Sequence, residues 1–158
     1  VSAPRRTPDA DADADEHETT TILVSEAGLL DTSTVILLGR VAHPEHLPDE
    51  LLVSTITLAE LSVGPHVARD DVSRAARQAH LQQAEADFEP LPFDAAAARM
   101  FGVVAAGLRA SGRKPGARAY DALIASVAMA NGLPVVTANP RDFRGIRGLS
   151  VIEVELED

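Results

Sequence analysis

The sequence predicts an α/β domain built on a central parallel sheet with helices on both faces, a three-layer α/β/α arrangement. Two observations carry that expectation. Short β-branched or aliphatic runs alternate with helical patterns from Gly28 onward. Leu51–Ile56 is a β-branched run and Leu133–Ala138 reads as a buried strand. A sheet of this kind gathers its functional groups at the carboxyl ends of its strands.

The elements follow in order. Gly28–Asp31 reads as a short buried strand and Ser33–Gly39 as a first helix. His43–Glu50, dense in Pro and charge, is a loop. Leu51–Ile56 is β-branched and reads as the second strand. Thr57–Ala68 is a helix with Thr57 as its cap and Glu60 at the capping-box spacing, and Gly64–Pro65 is expected to kink or break it. Asp71–Asp87 is a polar helix. Phe88–Phe93 holds a short strand, and Asp94 caps the helix Ala95–Ser111. Gly112–Ala117 is a basic loop. Arg118–Asn131 is a strong helix closed by Asn131–Gly132. Leu133–Ala138 is a buried strand, Asn139–Phe143 a loop, and Leu149–Leu156 the last strand.

Composition narrows the function classes. The 158 residues suit one domain and a tail, and at 46% hydrophobic content they bury a core of Leu, Val, Ile and Ala, since aromatics make up only 3%. Residues 1–21, or at most 1–27, read as a disordered acidic tail, because alternating Asp and Ala buries nothing. There is no Cys, hence no disulfide framework and no thiolate site, which fits a cytoplasmic setting. No apolar run reaches the ~20 residues of a membrane span, and no secretory signal is evident. The net charge of −10 argues against nonspecific nucleic-acid binding by the chain as a whole. Yet Arg109, Arg113, Lys114, Arg118, Arg141, Arg144 and Arg147 fall in one segment, and a positive rim on an acidic protein suits phosphate contacts. An ordinary solvated surface explains the same residues equally well.

Four acids stand where such a sheet would bring them together. Asp31 ends the first strand. Glu60 lies one turn into the helix after the second. Asp121 is in the first turn of its helix, and Asp142 lies just beyond the strand Leu133–Ala138. Each has a plain structural explanation: Asp31 as an N-cap, Glu60 in a capping box with Thr57, Asp121 favouring the helix dipole, Asp142 paired with Arg144. As a set they would repel one another unless a cation sits between them. Hard oxygen ligands without Cys select Mg²⁺ or Mn²⁺. Such a cluster suits phosphodiester cleavage, with Asp31 and Asp121 as direct ligands and Glu60 and Asp142 holding a second ion or positioning water. Thr32, Ser33 and Thr137 would then fix the carboxylates and contact phosphate. The five His residues pair with no Ser or Cys as a triad would require.

The stretches "LLDTSTVI", "STITLAEL" and "YDALIASVAMANGLPVVTANPRDF" closely resemble the PIN-domain ribonucleases, nearest to the VapC-type toxins of toxin–antitoxin pairs. The resemblance covers residues 28–154. It puts the family's first three acids on Asp31, Glu60 and Asp121, and the fourth either on Asp142 or where the neutral Asn139 stands. It implies a PIN-like fold and a Mg²⁺- or Mn²⁺-dependent endoribonuclease that arrests growth by cutting structured RNA, such as tRNA or rRNA. It also implies a homodimer and a cognate VapB-type antitoxin. Arg113, Lys114, Arg118, Arg141 and Arg144 are the expected RNA contacts. Two alternatives stay open. A haloacid-dehalogenase-like phosphatase also starts from a strand-end Asp, but needs a second Asp where Ser33 stands. A degenerate PIN module that only binds a partner would explain Asn139.

Overall fold

The computed structural model describes residues 26–158. The acidic tail expected over residues 1–21 lies outside them. Four parallel strands form the sheet: β1 (Ala27–Leu30), β2 (Glu50–Leu52), β3 (Val135–Thr137) and β4 (Val151–Glu153), in the order β2-β1-β3-β4. Five α-helices pack around it: α1 (Thr32–Ile36), α2 (Thr55–Val67), α3 (Asp71–Asp87), α4 (Ala95–Ala110) and α5 (Ala119–Ala130).

The period of a strand divides the core into two layers. Leu29 faces one of them with Val135, Val104, Leu108 and the buried face of α5. Leu30 faces the other with Val136, Val53, Val41 and Val154. Full burial of Leu29 and Leu30 stabilises each by about 1.5–3 kcal/mol. β1 is an inner strand, covered on both faces, and its Gly28 admits close neighbours. A Cβ on Gly28 would stand 2.5 Å from Val136 Cγ2 and 3.1 Å from Pro48 Cγ. With β2 on one side of β1 and β3 on the other, the chain reverses its direction of travel across the sheet at β1. Asp31 and the end of β3 meet there, at the carboxyl edge of the sheet.

Five expectations differ. The run Leu51–Ile56 forms a strand only as far as Leu52, since the Ser54 hydroxyl accepts the Thr57 N–H at 3.3 Å and caps α2 there. Thr57 therefore lies inside the helix, fully buried, and no Thr57–Glu60 capping box exists. Pro65 does not break α2, which runs to Val67. The Gly64 carbonyl in that last turn accepts a hydrogen bond from Arg77 of α3 at 3.0 Å, so the frayed end is satisfied. Phe88–Phe93 forms no strand beyond a single bridge of Leu91 to Ser54, and the last strand shortens to Val151–Glu153 with a lone antiparallel bridge of Leu156 to Val41. The closure of α5 before Gly132, at φ 65°, is as expected. Among the described residues, no helix is long and apolar enough to cross a membrane.

Candidate active site

Asp31 is the first residue after β1 and is only 2% exposed. Its reading as an N-cap holds, and hydroxyls complete its contacts. Its Oδ1 accepts the Thr34 N–H at 3.2 Å, as an N-cap should, and its Oδ2 accepts the Thr137 hydroxyl at 2.8 Å and, at a long 3.4 Å, that of Ser33. Among the described residues no Lys, Arg or His pairs with it. A buried carboxylate with hydroxyl partners but no cationic one is a ready ligand for a cation.

Glu60 reaches the same place from α2. The Thr32 hydroxyl donates to its Oε1 at 2.7 Å, and lies 3.1 Å from Thr57 Oγ1. This is the actual partner of the acid that the capping-box spacing assigned to Thr57. Burial raises the Glu60 pKa; the Thr32 hydrogen bond opposes the rise and the charge of Asp31 adds to it.

Asp121 stands at the third position of α5. Its pKa is raised from 3.8 to about 6, chiefly by burial, then by the charges of Asp142, Glu60 and Asp31. Asp121 is therefore close enough to feel each of the other three predicted acids. Asp142, in the turn Pro140–Phe143 after β3, pairs with Arg118 and not with Arg144. Arg118 also stands 3.7 Å from Asp121. Asn139 does not face this pair as an acid would: its side-chain amide donates to Ser33 Oγ at 3.1 Å, and its backbone N–H donates to Thr137 Oγ1 at 2.9 Å.

The basic rim divides. Arg113 donates to the carbonyls of Arg144, at 2.8 Å, and Arg141, at 3.2 Å, and so braces the loop after β3. Lys114, Arg141 and Arg144 are exposed. Arg113, Lys114, Arg118 and Asp142 line a cavity of about 170 Å³ beside the acids. Of the histidines, His43, His46, His66 and His80 are exposed, away from the acids.

Two site residues escape sequence reasoning. Thr34 is fully buried; besides its N–H to Asp31, its hydroxyl accepts the Ala138 N–H at 3.1 Å and ties α1 to the end of β3. Thr57 backs Thr32. The only available signal was three successive hydroxyls after Asp31, too many for one cap.

The donor set fits a hard divalent ion: four carboxylates, hydroxyls and an amide oxygen, with no sulfur or imidazole among them. As they stand, no three acid or His side chains among the described residues are drawn tightly enough together to hold an ion by themselves. Water would complete the coordination, as Mg²⁺ prefers.

A parallel sheet with carboxylates on hydroxyl partners at its switch point defines a class, and the chain belongs to it: residues 28–149 match the PIN domain family. Within that family the chain is similar to the VapC ribonucleases. It is 40% identical over 130 residues to "Ribonuclease VapC5" of Mycobacterium tuberculosis, covering 81% of this chain and 93% of the relative. To the "tRNA(fMet)-specific endonuclease VapC" of Salmonella typhimurium it is 32% identical, covering 78% and 94%. Among solved structures, VapBC-5 from Mycobacterium tuberculosis superposes with a TM-score of 0.71 at 39% identity, over 82% of this chain and 99% of that one. DNA-bound VapBC from Salmonella typhimurium gives 0.62 at 28% identity, over 82% and 98%. Membership of this family removes the phosphatase alternative.

Proposed function

We propose that the chain is a Mg²⁺- or Mn²⁺-dependent endoribonuclease, the toxin of a toxin–antitoxin pair, cutting structured RNA such as tRNA or rRNA. The observation that carries this reading is Asp31: a buried carboxylate, with no cationic partner among the described residues, whose charge reaches both Glu60 and Asp121. The names of its relatives support ribonuclease chemistry, and the Salmonella enzyme's name specifies a tRNA. The toxin–antitoxin structures it resembles support a VapB-type antitoxin as partner. A homodimer is part of the same proposal.

Asp31, Glu60 and Asp121 would hold the ion, with Asp142 beside them. When bound, the ion supplies a water of lowered pKa and neutralises charge on the leaving oxygen. The chain's own groups do the rest. Thr137 and Ser33 fix the Asp31 carboxylate, and Thr32 fixes that of Glu60. Asp121, whose pKa is raised to about 6 in the metal-free chain, would give up its proton as the ion binds. Lys114, Arg141 and Arg144, all exposed, would take RNA phosphates.

The test is cleavage of total RNA with added Mg²⁺ or Mn²⁺ by wild type, Asp31→Asn and Asp121→Asn. Asn is as good an N-cap as Asp, so Asp31→Asn keeps its fold while losing roughly 100-fold or more in rate. Equal cleavage by the variants, or none by wild type, overturns the proposal, and the latter outcome favours a module that only binds its partner.

A further inference from the structure

We propose that Arg118 is a built-in counter-cation of the acid cluster. It occupies the Asp142 side of the site, so that the chain holds a single divalent ion, on Asp31, Glu60 and Asp121. The inference rests on the metal-dependent reading above and adds what sets its stoichiometry.

One nitrogen of Arg118, Nη1, faces both Asp121 Oδ2 at 3.7 Å and Asp142 Oδ1 in a direct ion pair. The two acids come from different elements, α5 and the turn after β3, so the guanidinium joins them as a cation bridging two carboxylates would. Both acids are 24% exposed and Arg118 is 51% exposed, so the pair is open to exchange with solvent and its strength is moderate. Among the described residues Asp142 has no other cationic partner.

Charge balance agrees. Four carboxyl side chains and one guanidinium have a formal charge of three negative, which one divalent ion reduces to one and a second would invert. The other candidate for a fourth ligand is neutral: Asn139 directs its amide to Ser33. A second ion would therefore have to displace Arg118 from Asp142 without help from Asn139 as a charge.

Calorimetric titration with Mn²⁺ reads this directly, with no need for turnover. Wild type is expected to bind one ion, and Asp142→Asn to bind it with affinity within about twofold of wild type. Arg118→Gln should bind a second ion or tighten the first by about fivefold, the scale of a half-exposed ion pair. That gain should vanish in Arg118→Gln/Asp142→Asn, and Arg118→Lys, which keeps the charge, should stay at one ion. Thermal melts with and without Mn²⁺ confirm that each variant is folded. A tenfold loss in Asp142→Asn with Arg118 present overturns the inference, as does an Arg118→Gln titration identical to wild type. If Mn²⁺ binding depends on Asp31 in every case while Arg118 changes nothing, only this inference fails. If neither wild type nor Arg118→Gln binds Mn²⁺, the metal-dependent reading fails and takes the inference with it.

Discussion

Thr137 donates its hydroxyl to Asp31 Oδ2 at 2.8 Å across 106 positions of sequence, and Thr137 Oγ1 in turn accepts the Asn139 N–H at 2.9 Å. One hydroxyl thus fixes the carboxylate at the end of β1 and starts the turn that carries Asp142. Both side chains are buried, so neither can substitute water for the other. Thr137→Val keeps the shape but leaves an acceptor on Asp31 and a donor on Asn139 unmatched. It is expected to cost about 1–3 kcal/mol in urea unfolding and to lower cleavage with it. Thr137→Ser retains the hydroxyl and should stay within about 1 kcal/mol of wild type. Equal stability of the Val and Ser variants would show that the hydroxyl contributes nothing.

Much of this was legible in the sequence because the determinants are local. Leu29 and Leu30 read as a buried strand, and Asp31, at its end, had to lie at the carboxyl edge of a parallel sheet. Asp121 reads correctly because a first-turn acid needs only the helix start to be placed. What failed depended on tertiary approach. Thr-x-x-Glu at 57–60 fits a capping box by spacing, but Ser54 takes the cap, and α1 brings Thr32 against Glu60. Arg118 and Asp142 are 24 positions apart and meet only because α5 and the turn after β3 share one edge, so Arg144, two residues from Asp142, looked the nearer partner. The hydrogen bonds of Arg113 to the carbonyls of Arg141 and Arg144 span 28 and 31 positions and leave no local trace in the sequence.

The Thr32–Glu60 hydrogen bond controls a protonation state. Thr32 lowers the Glu60 pKa against the larger effect of burial. Thr32→Val removes that opposition while burial and the Asp31 charge persist, so the Glu60 pKa rises further. If Glu60 must be ionised for cleavage, the acid limb of the pH–rate profile moves to higher pH, and the loss of rate is larger in acid than at mildly alkaline pH. Thr32→Ser should keep the wild-type profile. A loss in Thr32→Val that is uniform across pH would point instead to a positional role for the methyl and hydroxyl.

Asp121 makes the metal-free protein's stability depend on pH in an unusual direction for an acid. Its folded pKa, about 6, lies above the 3.8 of an ordinary Asp. Between those values the folded state binds more protons than the unfolded one, so this contribution to stability is full below 3.8 and is lost as pH rises through about 6. At neutral pH the ionised form therefore costs up to about 3 kcal/mol relative to a neutral isostere, less whatever solvent and Arg118 recover. Asp121→Asn should be more stable than wild type in EDTA at pH 7 and should approach it as the pH falls below the window. Added Mn²⁺ should narrow or reverse the difference, since the ion stabilises only the chain that retains the carboxylate. Urea unfolding of both proteins across this range, with and without Mn²⁺, checks each step. A variant less stable than wild type in EDTA at pH 7 would show that the four acids do not repel one another as their placement requires.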